Sequence, residues 1–227
     1  MLRRIVLCAV VLCAPAIASA VTITIDDFEN GNLAAWTAGS NGQIVVDPLD
    51  SSNHVLNFTA LGDGGNIWTA NTYAATGNDW WLSFDYLGTA PNSGGFIGWD
   101  TDTLYAGNEK WLAGTNPAGL FPDAVVLTDD STWHHYVIHL TRGQDLAGAQ
   151  PLPDAPVYIK AEDWYRGDSI AGDAYFDNLV ITDVNPASAV PEPSTLALLA
   201  MGFGLLAAGA RRGRSIVQDP RRQTRRA

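Results

Sequence analysis

Turn-forming residues recur about every ten residues between Val21 and Asn185, and this spacing sets the fold class. Short runs of β-branched and aromatic residues lie between these clusters, and no window keeps a helical period over three turns. Short strands separated by such turns are typical of a β-sandwich. The sequence therefore predicts one all-β domain, a single β-sandwich over residues 21–185. The turn clusters are Asn30–Gly31, Gly39–Gly42, Asp50–Asn53, Gly62–Gly65 and Pro91–Gly95.

Alternation of side chains predicts the individual strands. In the run from Trp80 to Leu87, every second residue should point to the same side of a sheet. One face would then carry Trp80, Leu82, Phe84 and Tyr86, and the other would carry Trp81, Ser83, Asp85 and Leu87. The predicted strands are Val21–Ile25, Trp80–Leu87, Gly95–Trp99, Ala124–Leu127, Trp133–Leu140, Val157–Glu162 and Ala174–Thr182.

Charge is distributed very unevenly along the chain. Residues 21–190 contain four Lys and Arg residues and 22 of the 24 Asp and Glu residues, which gives this stretch a net charge of −18. The two ends together carry +7. An acidic surface repels a polyanion, so the domain is not expected to bind nucleic acid. The apolar content of 47% excludes a disordered chain.

The first 20 residues contain the three parts of a secretory signal peptide. Arg3 and Arg4 supply the positive start, Ile5–Ala14 forms the apolar run, and Ala18–Ala20 supplies a small-residue cleavage site. Both cysteines of the chain lie within this segment. The mature protein is therefore expected to have no disulfide and no thiolate metal site.

The C-terminal region has an ordered set of parts. The sequence Pro191, Glu192, Pro193, Ser194 precedes an apolar segment at residues 196–210, which an arginine cluster follows up to Arg214. This order closely resembles the PEP-CTERM sorting signal, over residues 190–214. The alternative is a plain C-terminal membrane anchor, although 15 apolar residues are fewer than the roughly 20 that span a bilayer.

The resemblance to the PEP-CTERM signal implies a route through the cell. The chain would be exported across the inner membrane of a Gram-negative bacterium by the export machinery and anchored there transiently by a helix at 196–210. An exosortase would then process it, and it would reach the cell surface or an extracellular matrix. Residues 215–227 form a basic tail that extends past the usual end of such signals.

Three short motifs carry a second resemblance. They are the acidic turn Asp26–Gly31 after the first strand, the tryptophan-led run Trp133–Tyr136, and the closing run Tyr175–Leu179. Together they resemble carbohydrate-binding jelly rolls, and the domain is similar in layout to the laminin IV type domain. The resemblance implies a jelly roll of the galactose-binding-like type that binds polysaccharide.

The jelly-roll resemblance also implies a structural calcium site. The matching residues are Asp27, Glu29 and Asp177. Calcium takes six to eight hard oxygen ligands, which carboxylates and carbonyls supply. The alternative is that these acids are turn and cap residues.

Aromatic residues give the candidate sugar-binding positions. All eight tryptophans lie in the predicted domain, and sugar rings stack on exposed aromatic faces. Trp81 and Asp85 share one strand face, whereas Trp99 and Trp111 are predicted beside loops. The alternative is that these tryptophans are core residues, because large aromatic side chains bury well.

Metal-dependent and hydrolytic chemistry are not expected. His134 and His135 would point to opposite faces of a strand, and His139 would stand about 13 Å from His135, too far for one zinc ion. The predicted domain has three Glu residues, no Gly-x-Ser-x-Gly elbow and no phosphate-binding loop. The sequence therefore predicts a non-catalytic binding protein. A structural or adhesive surface protein and a polysaccharide-cleaving enzyme are the alternatives.

Overall fold

A computed structural model of the protein describes residues 21–37, 42–58, 65–91, 93–102, 109–115, 121, 123–142, 150–164 and 172–186. The chain divides into two compact units, Met1–Pro186 and Ala187–Ala227, and every described residue belongs to the first. The predicted signal peptide, sorting signal, membrane helix and basic tail lie outside the described residues.

Within the described ranges, the structure contains no helix with the length and apolarity needed to cross a membrane. The described residues form β-strands joined by turns. The strands are β1 (Thr22–Asp26), β2 (Trp36–Thr37), β3 (Gly42–Val46), β4 (His54–Phe58), β5 (Gly65–Thr69), β6 (Asp79–Gly88), β7 (Gly95–Asp100), β8 (Glu109–Gly114), β9 (Val125–Val126), β10 (His134–Arg142), β11 (Gln150–Leu152), β12 (Tyr158–Asp163) and β13 (Ala174–Thr182).

The strands form two sheets. The seven-stranded sheet has the order β11-β10-β6-β13-β4-β3, and β1 pairs with β13 as well. The six-stranded sheet has the order β2-β5-β12-β7-β8-β9. β10–β11 and β8–β9 are parallel pairs, whereas β10–β6, β13–β6 and β12–β7 are antiparallel. The predicted β-sandwich is confirmed.

Each predicted strand coincides with an observed strand: the predictions match β1, β6, β7, β9, β10, β12 and β13, with shifted bounds. The sequence does not predict β2, β3, β4, β5, β8 and β11. The predicted alternation on β6 is observed, because the core cluster contains every member of one predicted face and none of the other: Trp80, Leu82, Phe84 and Tyr86 belong to it.

The core lies between the two sheets. β6 contributes its buried face, and the six-stranded sheet contributes Ile67, Ile97, Leu112 and Ile159 to the same cluster. Burial of each such side chain contributes about 1.5–3 kcal/mol relative to exposure. The positions of the two sheets are therefore set mainly by the apolar faces of their central strands.

The turn after β1 is built on a buried carboxylate. Asp26 is 5% exposed, and its Oδ1 atom accepts a hydrogen bond from the Phe28 amide at 2.9 Å. Its Oδ2 atom accepts one from the Trp36 indole at 2.8 Å. The rings of Phe28 and Trp36 stack with centroids 5.9 Å apart. Asp26 therefore fixes the positions of two aromatic residues of the core, Phe28 and Trp36.

Replacing Asp26 with Ala is expected to lower the free energy of unfolding by about 2–4 kcal/mol, because two buried donors lose their acceptor. Urea unfolding measures this change. Asp27→Ala is the matched control, since Asp27 is exposed and accepts a longer bond of 3.3 Å from the Glu29 amide. Equal losses of stability in the two variants would contradict the role given to Asp26.

Candidate functional site

The structure separates the predicted sugar-binding residues into three places. Trp81 and Asp85 lie on β6, on the side of the seven-stranded sheet that faces away from the core. Trp99 on β7 lines an open cleft. Trp111 on β8 is 5% exposed and packs against Phe96. No single surface therefore carries all four residues.

On the seven-stranded sheet, neighbouring side chains contact both Trp81 and Asp85. The Trp81 ring stacks on the His139 ring, with centroids 4.8 Å apart and an interplanar angle of 7°. Asp85 Oδ1 lies 2.7 Å from His135 Nδ1, and Asp85 Oδ2 accepts a hydrogen bond from Asn178 at 2.8 Å. These contacts fix the positions of Trp81 and Asp85. They also engage the aromatic ring and the carboxylate oxygens that a sugar would otherwise contact.

The Trp99 cleft is open to solvent. It has a volume of about 410 Å³, within the range of small-molecule sites. The Trp99 indole N–H donates to the Pro151 carbonyl at 3.0 Å, which fixes the ring between β7 of one sheet and β11 of the other. The lining residues are Trp99, Thr101, Glu109, Lys110, Pro151, Leu152 and Pro153.

The two charged residues that line the cleft, Glu109 and Lys110, each pair with a charged residue outside its lining. Glu109 is hydrogen-bonded to the buried Lys160 ammonium, which also lies 4.9 Å from the centroid of the Trp111 ring. Lys110 lies 3.8 Å from the exposed Asp123 carboxylate. The buried Trp111 therefore supports the lysine that positions Glu109 at the cleft.

Sequence reasoning misses the wall of the cleft formed by Pro151, Leu152 and Pro153. These residues lie on or directly after β11, a three-residue edge strand that pairs in parallel with β10. Proline is tolerated on edge strands because one side needs no ladder hydrogen bond. A proline-rich run predicts a loop, so the sequence carries no signal for this wall.

The three residues predicted to bind calcium accept hydrogen bonds from the protein. Asp27 accepts from the Glu29 amide, and Glu29 accepts from the His54 amide at 3.1 Å. Asp177 accepts from the Asn178 amide at 2.7 Å and from the Asn53 side chain at 3.0 Å. Burial raises the pKa of Asp177 to about 6. Calcium binding at this place stays a prediction.

Among the described residues, no three His, Cys, Asp or Glu side chains are grouped so as to hold a metal ion. The histidines on β10 each lie beside a different carboxylate. His134 Nε2 is 2.9 Å from Asp130, and His139 Nε2 is 2.8 Å from Asp79.

The C-terminal region supplies the decisive comparison. Residues 189–214 match the PEP-CTERM protein-sorting motif. This range contains the predicted residues Pro191, Glu192, Pro193 and Ser194, so the predicted signal is confirmed. The PEP-CTERM motif implies exosortase processing, with export to the surface or exterior of a Gram-negative cell.

The rest of the chain has distant structural likenesses. No curated protein sequence matches the chain significantly. Among solved structures, TmCBM61 in complex with β-1,4-galactotriose has 16% identity, covers 68% of this chain and 92% of its own, and gives a TM-score of 0.40. The family 29 carbohydrate-binding module CBM29-2 has 14% identity, coverages of 79% and 96%, and a TM-score of 0.45. The K1 adhesin domain of Lys-gingipain from Porphyromonas gingivalis W83 has 13% identity, coverages of 74% and 99%, and a TM-score of 0.42. These TM-scores are too low to support an argument about the fold, which follows from the two observed sheets.

Proposed function

We propose that this protein is exported, processed by an exosortase and retained at the cell surface or in the extracellular matrix, where its β-sandwich binds polysaccharide. The PEP-CTERM motif at residues 189–214 supports the sorting part of this proposal. The predicted signal peptide at residues 1–20 supports export, and the apolar segment at 196–210 supports a transient anchor in the inner membrane.

The Trp99 cleft carries the binding part of the proposal. A sugar ring presents apolar C–H faces and polar hydroxyl edges, so it needs an aromatic surface next to hydrogen-bonding groups. Trp99 provides a ring whose orientation is fixed by Pro151. Glu109, Lys110 and Thr101 provide an acceptor, a donor and a hydroxyl around it. Sugar stacking on Trp99, with hydroxyls bound by these three residues, fits this geometry.

The same cleft favours binding without catalysis. Glycosidases use two carboxyl groups, one on each side of the scissile bond. Of the residues that line the cleft, Glu109 carries the one carboxylate, and the Lys160 ammonium holds it. A single carboxylate cannot supply the two carboxyl groups that glycosidases use, but it can accept hydrogen bonds from sugar hydroxyls.

The proposal is tested by calorimetric titration of the full chain with cellohexaose, xylohexaose and chitohexaose. We expect at least one oligosaccharide to bind, and Trp99→Ala to weaken that binding at least about tenfold through loss of stacking. Trp99→Phe, which keeps an aromatic face, should retain most of the affinity.

Trp81→Ala is the matched control, because Trp81 lies on the other sheet and should leave affinity unchanged. If the unmodified chain binds none of the oligosaccharides, the structural or adhesive alternative replaces the proposal. If Trp81→Ala rather than Trp99→Ala abolishes binding, the site lies on the face of the seven-stranded sheet.

A further inference from the structure

The residue that follows the predicted signal peptide holds a defined place in the sandwich. Cleavage after the small-residue site Ala18–Ala20 would make Val21 the first residue of the mature chain. Val21 directly precedes β1, and its backbone nitrogen donates a hydrogen bond to Asp183 Oδ1 at 2.8 Å. Asp183 directly follows β13, the strand that pairs with β1. The residue after the predicted cut therefore contacts a carboxylate 162 residues further along the chain.

Backbone contacts hold Val21 and Asp183 together in addition to the side-chain bond. The Asp183 amide donates to the Val21 carbonyl at 3.2 Å, which extends the ladder one step beyond the Thr22–Thr182 pair. The Val184 amide donates to the Thr182 hydroxyl at 3.2 Å and orders the chain after β13. Because these bonds place the Asp183 carboxylate at the start of β1, an ion pair formed there loses little side-chain entropy.

Cleavage changes the chemistry of the Val21 nitrogen. In the precursor this nitrogen belongs to a neutral amide with one N–H donor. In the mature chain it is an α-ammonium with a positive charge, since an α-amine ordinarily titrates at about pH 8. The bond to the Asp183 carboxylate then joins two ionised groups and gains a Coulomb attraction. The same contact therefore becomes stronger without any rearrangement of the two strands.

The charges of the domain favour a new cation at this point. Residues 21–190 carry a net charge of −18. The described lysine and arginine side chains, Lys110, Arg142 and Lys160, each pair with a carboxylate elsewhere. Among the described residues, no Lys, Arg or His side chain pairs with Asp183. An α-ammonium at Val21 therefore meets a carboxylate that no other cation neutralises.

We propose that removal of residues 1–20 leaves Val21 as the first residue and that its α-ammonium forms an ion pair with the Asp183 carboxylate. This inference rests on the proposed export of the chain. β1 joins the seven-stranded sheet through its pairing with β13. The start of β1 is its weaker end, because Val21 is 44% exposed whereas Ile25 and Asp26 are buried. Maturation thus stabilises the end of β1 that opens most easily, and the precursor lacks this stabilisation.

The test uses the full chain expressed in a Gram-negative host, with the exported protein purified in detergent. N-terminal sequencing should identify Val21 as the first residue. At pH 6.5, Asp183→Asn should lower the melting temperature of the exported protein by about 1–4 °C, the range expected for an exposed ion pair. This loss should shrink as the pH rises to 10, because the α-amine becomes neutral, whereas the neighbouring Thr22 and Thr182 do not titrate.

A second variant moves the ammonium and leaves the carboxylate in place. Insertion of Thr between Ala20 and Val21 makes Val21 an internal amide again and should cost as much stability as Asp183→Asn. The two changes combined should cost no more than either alone, because they remove the same interaction. Asp154→Asn is the matched control, since it removes the same charge from a side chain that is 97% exposed. It should show no loss that depends on the α-amine.

The outcomes separate this inference from the proposed export. An uncut chain would show that both are wrong. A mature chain that begins at another residue would leave the export intact and overturn the ion pair. If Val21 is the first residue, additive losses in the combined variant, or an Asp183→Asn loss that is equal at pH 6.5 and pH 10, would also overturn the ion pair alone.

Discussion

Changing Pro191, Glu192, Pro193 and Ser194 together to alanine should stop processing of the exported chain almost completely. The motif at residues 189–214 would no longer be recognised, while the apolar segment at 196–210 and the arginines after it would remain. The unprocessed chain should therefore accumulate in the membrane fraction, because arginine after an apolar segment holds that end in the cytoplasm. Pulse labelling followed by fractionation and immunoblotting measures the ratio of precursor to mature protein.

The basic tail offers the matched control for this experiment. Alanine at Gln218, Asp219 and Pro220 changes residues outside the matched range and should leave processing intact. Normal maturation of the quadruple alanine variant would show that the motif is not the recognised element. Equal accumulation of precursor in both variants would point to membrane insertion as the affected step.

Strand prediction succeeds in this chain where apolar and polar residues alternate in the sequence, as in β6, β10 and β12, and it does so for β12 although five of its six residues are buried. β6 and β10 alternate, and their bounds follow from the sequence to within a few residues. β4 does not alternate: after His54, its next four residues are all buried. Asn57 is buried among them because its side chain donates to the carbonyls of Gly172 and Ala174. A strand covered on both faces, with a polar residue satisfied by distant backbone, has no local period to detect.

Local sequence patterns likewise do not predict which residues line the candidate site. β7 and β8 pair with a register shift between Ile97 and Gly98. Without that bulge, Trp111 would lie opposite Trp99 and share its face, whereas the bulge places it opposite Gly98 on the other face. Sequence reasoning therefore identifies both tryptophans but cannot assign one to the cleft and the other to the packing around Lys160. Asp163 and Asp173, two carboxyls whose pKa burial raises, are equally hard to recognise from the sequence, because nine intervening residues separate them along the chain.

The stability of the folded chain should fall as the pH rises from about 4 to about 7. Burial raises the pKa of Asp163 and Asp173 to about 7 and that of Asp177 to about 6, all above the ordinary value of 3.8. Between these values the folded state retains protons that the unfolded state has released. Stability declines with pH wherever the folded state binds more protons, and this decline should end above about pH 7.

The expected loss is on the order of a few kcal/mol, since each unit of pKa shift corresponds to about 1.4 kcal/mol and solvent screens the more exposed carboxyls. Urea unfolding at pH 4.5, 6 and 8 measures it. Asp163→Asn should reduce the slope, whereas Asp154→Asn should not, because the Asp154 side chain is 97% exposed. Stability that stays constant or increases over this range would contradict the buried, protonated carboxyls.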